Sequence, residues 1–453
     1  MKLAKLSLVA IVVAGLASSS FAASETLADA FKNGKVNGEL RAWYFDRDTG
    51  DQNTNTLAKG NADLFSTGVM LGYVTDSLYG LSLGLTVQSS YAPFADKDAK
   101  NLYATDMYGS GAVLSEAYIV YTLKNTTAKV GRQFIASPLV NSSGSRMIKE
   151  AFQAAVLINT DLPNTTLVAG YSDKFQGRTS DYDKSVAGAD SDISSFKKEA
   201  VFYGAGTSTA RGATRSSNVF GFDGAYTAAA INSSITNLTL TGQYLFVNDV
   251  KGTSGGDAQV FYAEGNYVVP LSNAKVLLDA TYRGSRTSND TFDSLHLEGD
   301  MYQGRVGVTG LSGFNASFAY STVSSDQSVL LGAGNGPTTY TAPLIKGAEA
   351  TSGANTDAYK VEVGYDFAKV GVTGLKVLGQ YVKINQDTAG GSSGVVFNGA
   401  SVDTESTYLE AQIAYDLPSV KGLTLSLQYE DGKKETTSTV NSSDMRFRAN
   451  YKF

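Results

Sequence analysis

The chain has 453 residues, a formal net charge of −6, one His, one Trp and no Cys. The absence of Cys excludes disulfides, thiolate metal sites and Cys nucleophiles, and a single His argues against a Ser-His catalytic pair. The acidic balance argues against a nucleic-acid binder, which would carry a basic face. High Gly and Tyr counts (47 and 26) with only 7 Pro favour strands joined by turns over long disorder.

The first 22 residues have the pattern of a secretory signal peptide. Lys2 and Lys5 give a positive start, and residues 6–16 form a short apolar core. Ser20 and Ala22 place small side chains at the two positions that a signal peptidase reads. The apolar core is too short to cross about 30 Å of hydrocarbon as a helix. We therefore predict that residues 1–22 are removed on export and that residues 23–453 form one domain.

After the predicted signal peptide, alternating segments are joined in pairs by tight turns, and long polar stretches separate the pairs. The first predicted strand is Val36–Phe45 and the last is Asp444–Phe453. Between them we predict eight hairpins, whose tips are rich in Asp, Asn, Pro, Ser and Gly. In chain order the hairpins lie in the segment from Gly72, near residues 122–125, 161–164, 229–237, 270–274 and 309–313, and in the segments from Val363 and Ile413.

The alternation puts apolar side chains on one face of each strand and polar ones on the other, as in Leu423, Leu425, Leu427 and Tyr429 against Thr424, Ser426, Gln428 and Glu430. A soluble sandwich would also alternate. Strands of about ten residues, short turns that alternate with long loops, and Tyr at the ends of the apolar faces favour a membrane barrel. We predict an all-β fold, a transmembrane antiparallel β-barrel of eighteen strands in the bacterial outer membrane.

The last strand ends in Phe453, with Met445, Phe447, Ala449 and Tyr451 on the same face. Such an ending resembles the signature that the barrel assembly machinery of the outer membrane recognises. An ordinary edge strand is the alternative. The expected surroundings of the folded barrel are outer-membrane lipid and lipopolysaccharide.

Two stretches carry a family resemblance. They are VNGELRAWYFDRD from Val36 and LKNTTAKVGRQFIASPLVNSSGSRMIKEAFQAAVLINTDLPNTTLVAGYSDKFQGR from Leu123. They resemble the OprD-type specific porins. The order and spacing of segments along most of the chain are similar to those of their relatives, the major outer-membrane porins of the Campylobacter group. The resemblance implies a passive channel without a cofactor, in which small solutes, many of them carboxylates, pass along a ladder of basic side chains. It also implies either a monomer or a homotrimer.

The resemblance further implies that the third external loop, at about residues 134–150, folds into the lumen and narrows it. The matching motif is SGSRMIKEAF, which places Arg146 at the constriction with Lys149 and Glu150 close by. A solvent-exposed loop arginine is the alternative for Arg146.

Strand alternation also predicts which charges line the lumen. The basic set is Arg41, Arg283, Arg305, Lys360, Arg446 and Arg448, and the acidic set is Glu264, Asp279, Glu362, Glu410 and Glu430. An Arg facing lipid near the midplane would cost about 2–4 kcal/mol, so the lumen is favoured. The basic set resembles the family's ladder, but ion pairing with wall carboxylates is the alternative. Facing rows of opposite charge leave the sign of ion selectivity open. Arg132 falls on the lipid-facing parity, which predicts a rim position or a bulge.

Weaker signals remain. The acidic stretch from Ser180 could hold a divalent cation, but a solvated loop is the simpler interpretation. The lone His296 lies in or beside an external loop. Two other functions stay open: a barrel enzyme, for which one His offers little, and a structural or adhesive barrel. The longest loops, at residues 174–218 and 325–357, could partly occlude the mouth.

Overall fold

The structure is a computed structural model that describes residues 24–50, 60–104, 106–179, 193–203, 219–251, 256–288, 297–388, 400 and 402–453. The predicted signal peptide, most of the acidic stretch from Ser180, and His296 lie outside the described residues. Helix is scarce in the described part: α1 spans Leu27–Lys32 and α2 spans Lys97–Leu102, with 3-10 turns at Ala348–Thr351 and Phe367–Val370. None of the described helices has the length and apolar character needed to cross a membrane.

Eighteen long antiparallel strands form one closed sheet. They are β1 Lys35–Asp48, β2 Asn61–Val74, β3 Leu81–Ser90, β4 Gly111–Leu123, β5 Thr126–Gln133, β6 Ala151–Asn159, β7 Thr165–Gln176, β8 Gly224–Asn232, β9 Leu238–Asn248, β10 Asp257–Pro270, β11 Lys275–Ser288, β12 Asp300–Leu311, β13 Phe314–Val323, β14 Thr356–Asp366, β15 Leu375–Gln386, β16 Thr404–Asp416, β17 Leu423–Glu435 and β18 Thr439–Lys452. The predicted fold class and strand number are confirmed.

The barrel closes because the first strand pairs with the last. In this seam Trp43 of β1 lies opposite Arg448 of β18, and the backbone of Phe453 exchanges hydrogen bonds with Gly38 at 3.0 and 3.1 Å. Closure leaves no unpaired strand edge in the hydrocarbon. Both strands of the seam begin or end beyond their predicted bounds, since the ladder continues through polar residues outside the apolar band.

All eight predicted hairpins are present, from β2–β3 to β16–β17. Their tips contain residues in the left-handed region, such as Asn164 (φ 52°) and Asn237 (φ 64°), which Asn tolerates better than most residues. Longer connections join most of the other ends of the strands, whereas β17 and β18 are joined there by residues 436–438 alone. The short turns therefore lie at one end of the barrel and the long loops at the other.

The outer face of the barrel is apolar and exposed. Leu409, Leu427 and Phe447 are 60%, 40% and 40% exposed, whereas their neighbours Glu410 and Arg446 are 2% and 3% exposed. A soluble protein has the opposite arrangement. This polarity matches acyl chains outside and a polar interior.

Two bulges adjust the alternation near the 134–150 loop, one in β3–β4 and one in β6–β7, where Asp173 is the extra residue. Ser115 is the extra residue where the β3–β4 register shifts after Thr86, and both Ser115 and Glu116 make inward contacts. Arg132 lies near the outer end of β5, after Gly131 (φ 128°), with its guanidinium 4.6 Å from the Phe196 ring.

Part of the barrel interior is packed rather than open. Two loops, at residues 134–150 and 324–355, bring apolar side chains such as Leu139, Val140, Leu330 and Leu331 against wall residues Leu245, Val260 and Met301. A small sheet of Glu199–Tyr203, Val219–Gly221 and Gly332–Ala333 joins this cluster. The two loops are therefore packed against the inner face of the barrel wall.

Candidate functional site

A group of cations lies along the β18–β1 seam. We call it the seam cluster and define it as Arg41, Arg47, Arg146, Lys149, Arg446 and Arg448. Arg41 ties the wall to the 134–150 loop, because its Nη1 donates to the Met147 carbonyl at 2.7 Å while its Nε pairs with Glu39 at 3.1 Å. Both seam strands and the loop thus place their cations in one region.

Arg146 belongs to a chain of alternating charges. Its Nε lies 2.8 Å from Asp106, which also contacts Arg47 at 3.3 Å, and Arg47 contacts Asp444 at 3.0 Å. Asp444 in turn accepts hydrogen bonds from Arg446 at 2.9 Å. Each carboxylate is shared between two guanidinium groups, so the chain is cation-rich.

Burial and neighbouring charge perturb the loop members of this chain. Burial alone would raise the pKa of Asp106, but the guanidinium groups of Arg146 and Arg47 hold that pKa well below its usual range. Burial lowers the pKa of Arg146 to about 10, against the opposing attraction of Asp106. Burial also lowers the pKa of Lys149, only partly offset by the attraction of Glu116.

Two cations of the seam cluster have no carboxylate within 4 Å among the described residues. Arg448 donates to the Gln428 side chain, and its Nε is buried without a hydrogen-bond partner in the described part of the chain. The Lys149 ammonium group lies 4.3 Å from the Phe134 ring. The seam cluster therefore keeps uncompensated positive charge, unlike a fully ion-paired wall.

Glu150 was predicted at the constriction, but the structure buries it completely. Its carboxylate accepts hydrogen bonds from the Ser143 backbone at 3.0 Å and from Asn335 at 2.9 Å (backbone) and 2.5 Å (side chain). Arg178 lies 3.2 Å away. Glu150 ties the 134–150 loop to the 324–355 loop and offers no surface to a solute.

The predicted acidic set faces inward, but much of it holds the 324–355 loop. Glu410 and Glu430 lie opposite each other on β16 and β17. Glu410 accepts from the backbone N–H groups of Leu344 (3.0 Å) and Ile345 (2.9 Å), and Glu430 accepts from that of Lys346 (3.0 Å). Glu264 similarly accepts from the Tyr340 hydroxyl at 2.5 Å.

A cavity of about 1420 Å³ lies beside β9–β14, between the short turns and the two loops. It is lined by several residues of the predicted basic and acidic sets: Glu264, Asp279, Arg283, Arg305 and Lys360. Arg305 pairs with Asp279 at 2.7 Å, and Lys360 lies 3.9 Å from Glu362 and 3.2 Å from the Ala342 carbonyl. The predicted basic set is therefore divided between this cavity and the seam cluster.

Arg283 stands apart from the rest of the basic set. It is 1% exposed, and its Nη2 approaches the carbonyls of Pro138 at 3.5 Å and Thr338 at 3.3 Å. One wall arginine thus touches both loops and has no carboxylate within 4 Å among the residues described.

Sequence reasoning missed Asp106, Arg178, Trp43 and Phe45. Asp106 and Arg178 come from other loops, and their positions depend on the folded path of those loops. Trp43 and Phe45 carried a usable signal, since both are large aromatics on the polar parity of β1. No metal site replaces these contacts in the described part, which contains no group of three or more His, Asp or Glu side chains arranged to hold a metal ion.

An apolar outer band, a charged interior and loops that reach across it define the class of the protein as an outer-membrane porin. The family model described as Campylobacter major outer membrane protein matches residues 1–453, so the chain belongs to that family. The predicted family and bacterial outer-membrane location are confirmed. A search of curated proteins finds no match.

Solved structures of Pseudomonas aeruginosa porins share the fold. OccK9 (OpdG) is 15% identical with a TM-score of 0.73, and OccK8 (OprE) is 17% identical with a TM-score of 0.69; each comparison covers 94% of this chain and 99% of the other. OpdK, solved with vanillate, is 13% identical with a TM-score of 0.70 over 93% of this chain and 99% of its own.

Proposed function

We propose that this porin passes small hydrophilic solutes and ions by passive diffusion and favours solutes that bear a carboxylate. The observation that carries the proposal is the uncompensated positive charge of the seam cluster, above all at Arg448 and Lys149. A fixed cation in a narrow aqueous path offsets part of the dehydration cost of an anion and raises the cost for a cation.

The 134–150 loop forms the constriction in this proposal. Arg146 and Lys149 come from this loop. Arg146 shares the Phe45 ring with the wall arginines Arg446 and Arg448, whose positive field would guide the solute. Glu410 and Glu430 accept hydrogen bonds from the loop backbone, and Glu150 is buried. Asp106 and Asp444 lie within the cluster, but each is shared between two arginines and neither pairs with Arg448. Vanillate, the compound in the OpdK structure, is itself a carboxylate.

Export and assembly complete the proposal. Residues 1–22 would direct export, and the strand ending in Phe453 would be recognised by the barrel assembly machinery before the barrel enters lipid and lipopolysaccharide. A homotrimer remains a prediction that chemical cross-linking of the purified protein would check.

Measurements of ionic current test this proposal. The purified protein in a planar bilayer should give steady ohmic current steps, and in a KCl gradient its reversal potential should indicate chloride preference. Arg146→Ala should enlarge the steps and weaken that preference. Potassium preference in the wild-type protein would overturn the carboxylate proposal while leaving the channel intact.

A non-conducting barrel is the second candidate, and the packed interior around Leu139 and Leu331 favours it. The planar-bilayer recording distinguishes this candidate from the diffusion channel. Complete absence of current steps from correctly folded protein would favour the plugged barrel.

A further inference from the structure

Two aromatic rings lie inside the barrel, where the other inward side chains of β1 are polar or charged. Trp43 and Phe45 are 3% and 0% exposed. Their rings are stacked, with centroids 6.0 Å apart and planes inclined by 5°. Trp43 Nε1 donates to Asn450 Oδ1 at 2.7 Å across the seam. This hydrogen bond and the stacking fix the orientation of both rings.

Guanidinium groups surround this aromatic pair. Arg448 lies 4.9 Å from the Trp43 centroid and 5.0 Å from that of Phe45, and Arg446 lies 5.0 Å from Phe45. Arg41 lies 5.4 Å from Trp43. Arg146 approaches Phe45 from the loop at 6.0 Å. Every distance is within the range of about 6 Å at which a cation is attracted to a ring face.

The strand register produces this arrangement. Trp43 lies opposite Arg448, and Phe45 lies opposite Arg446. Directly opposed side chains in an antiparallel pair have Cβ atoms about 5 Å apart, which is within contact distance for an aromatic ring and an Arg. The two aromatic residues of β1 thus lie beside Arg448 and Arg446 of β18.

Neighbouring arginines repel one another, and Arg448 has no carboxylate within 4 Å in the described part of the chain to hold it. The negative face of an aromatic ring offers an attraction that leaves the positive charge unneutralised. A carboxylate would also fix the side chain but would cancel its field. An aromatic support therefore suits a group whose charge must act on a passing solute.

We propose that Trp43 and Phe45 are positioning residues, which hold the guanidinium group of Arg448 toward the channel and so set the preference of the channel for carboxylate-bearing solutes. This inference rests on the proposed function for its effect on solutes. The competing explanation is plain apolar packing, since both rings also contact a cluster that includes Leu64, Met107 and Met147. A leucine keeps apolar contact but removes the ring face, which separates the two explanations.

The first experiment measures reversal potentials in a KCl gradient for matched variants. Phe45→Leu and Trp43→Leu should each lower the chloride-to-potassium permeability ratio about threefold. Trp43→Phe keeps a ring face and should retain most of the ratio. Leu64→Val perturbs the same apolar cluster without touching a guanidinium and should leave it unchanged. Wild-type ratios in both leucine variants, or an equal loss in Leu64→Val, would overturn the inference.

A second readout does not depend on ion preference. In protein labelled with ¹⁵N at arginine, the Nε–H resonance of Arg448, identified by its absence in Arg448→Gln, should carry a ring-current shift that Trp43→Leu and Phe45→Leu reduce. An unshifted wild-type resonance would refute the positioning role. A shifted resonance in a channel without chloride preference would instead refute the proposed function and keep the positioning role.

Discussion

The β18–β1 seam and the β16–β17 wall follow the same alternation but use their charges differently. At β16–β17, Glu410 and Glu430 accept hydrogen bonds from three consecutive loop N–H groups, so these carboxylates interact with the loop backbone. At the seam, Arg448 has an aromatic support and an amide neighbour in place of a carboxylate. The comparison shows that inward parity locates a charge in a barrel, while its partners decide whether that charge is neutralised.

The largest expected effect comes from removing the loop anchor on the acidic wall. Glu410→Ala leaves the N–H groups of Leu344 and Ile345 buried without acceptors, at about 1–3 kcal/mol each. The 324–355 loop should loosen, which lowers the thermal unfolding midpoint in detergent and gives larger, noisier current steps. Glu410→Gln keeps one acceptor oxygen, so its unfolding midpoint and its current steps should lie between those of the wild type and those of Glu410→Ala. Wild-type steps in Glu410→Ala would show that this carboxylate does not hold the loop.

Acid should weaken the charge chain at the seam. The pKa of Asp106 is held well below its usual range, so its stabilising contribution is complete above about pH 4 and is lost as pH falls toward the folded-state pKa. Asp106→Asn should lower stability at pH 7 by about 2–3 kcal/mol, the size expected of a salt-bridged carboxyl.

Thermal unfolding followed from pH 6 to pH 2 checks this prediction. The wild-type midpoint should fall more steeply than that of Asp106→Asn. Asp326→Asn, at an exposed position of the 324–355 loop, is the matched control and should keep the wild-type slope. Parallel curves for the wild type and Asp106→Asn would contradict the role given to Asp106.

A smaller effect should follow from neutralising the uncompensated arginine. A unit charge about 4 Å from an ion in water is worth about 1 kcal/mol, so Arg448→Gln should lower the chloride-to-potassium permeability ratio about fivefold, without a large loss of stability. Reversal potentials give the ratio and thermal unfolding gives the stability. An unchanged ratio would mean that solutes do not encounter Arg448.

The smallest effect is expected at Lys383, which pairs with Glu405 at 2.8 Å. Both side chains are partly exposed on the outward parity, where ion pairs contribute little. Lys383→Gln should leave both the reversal potential and the unfolding midpoint at wild-type values. A shift in ion preference would show that charges outside the interior contribute to selectivity.

The sequence was sufficient for the barrel because hydrophobic alternation and turn composition are local signals. The alternation of neighbouring residues is enough to assign Leu427 to the outer face and Glu430 to the inner face. The partners of Glu150 and Glu410 could not be predicted in this way, since Asn335 and Leu344 belong to a long loop whose path no periodic pattern encodes. Trp43 and Phe45 lie between these cases: parity places them inside, but only the β1–β18 register shows which arginines they face.

Trp43 and its hydrogen-bond partner Asn450 are 407 positions apart, almost the full span of the polypeptide. Contacts between such distant positions are slow to form, because closing so long a loop costs entropy before the contact is gained. The cluster of rings and guanidinium groups draws on both terminal strands, so it exists only where β1 and β18 are paired. Closing the cylinder and assembling this cluster are therefore one structural event.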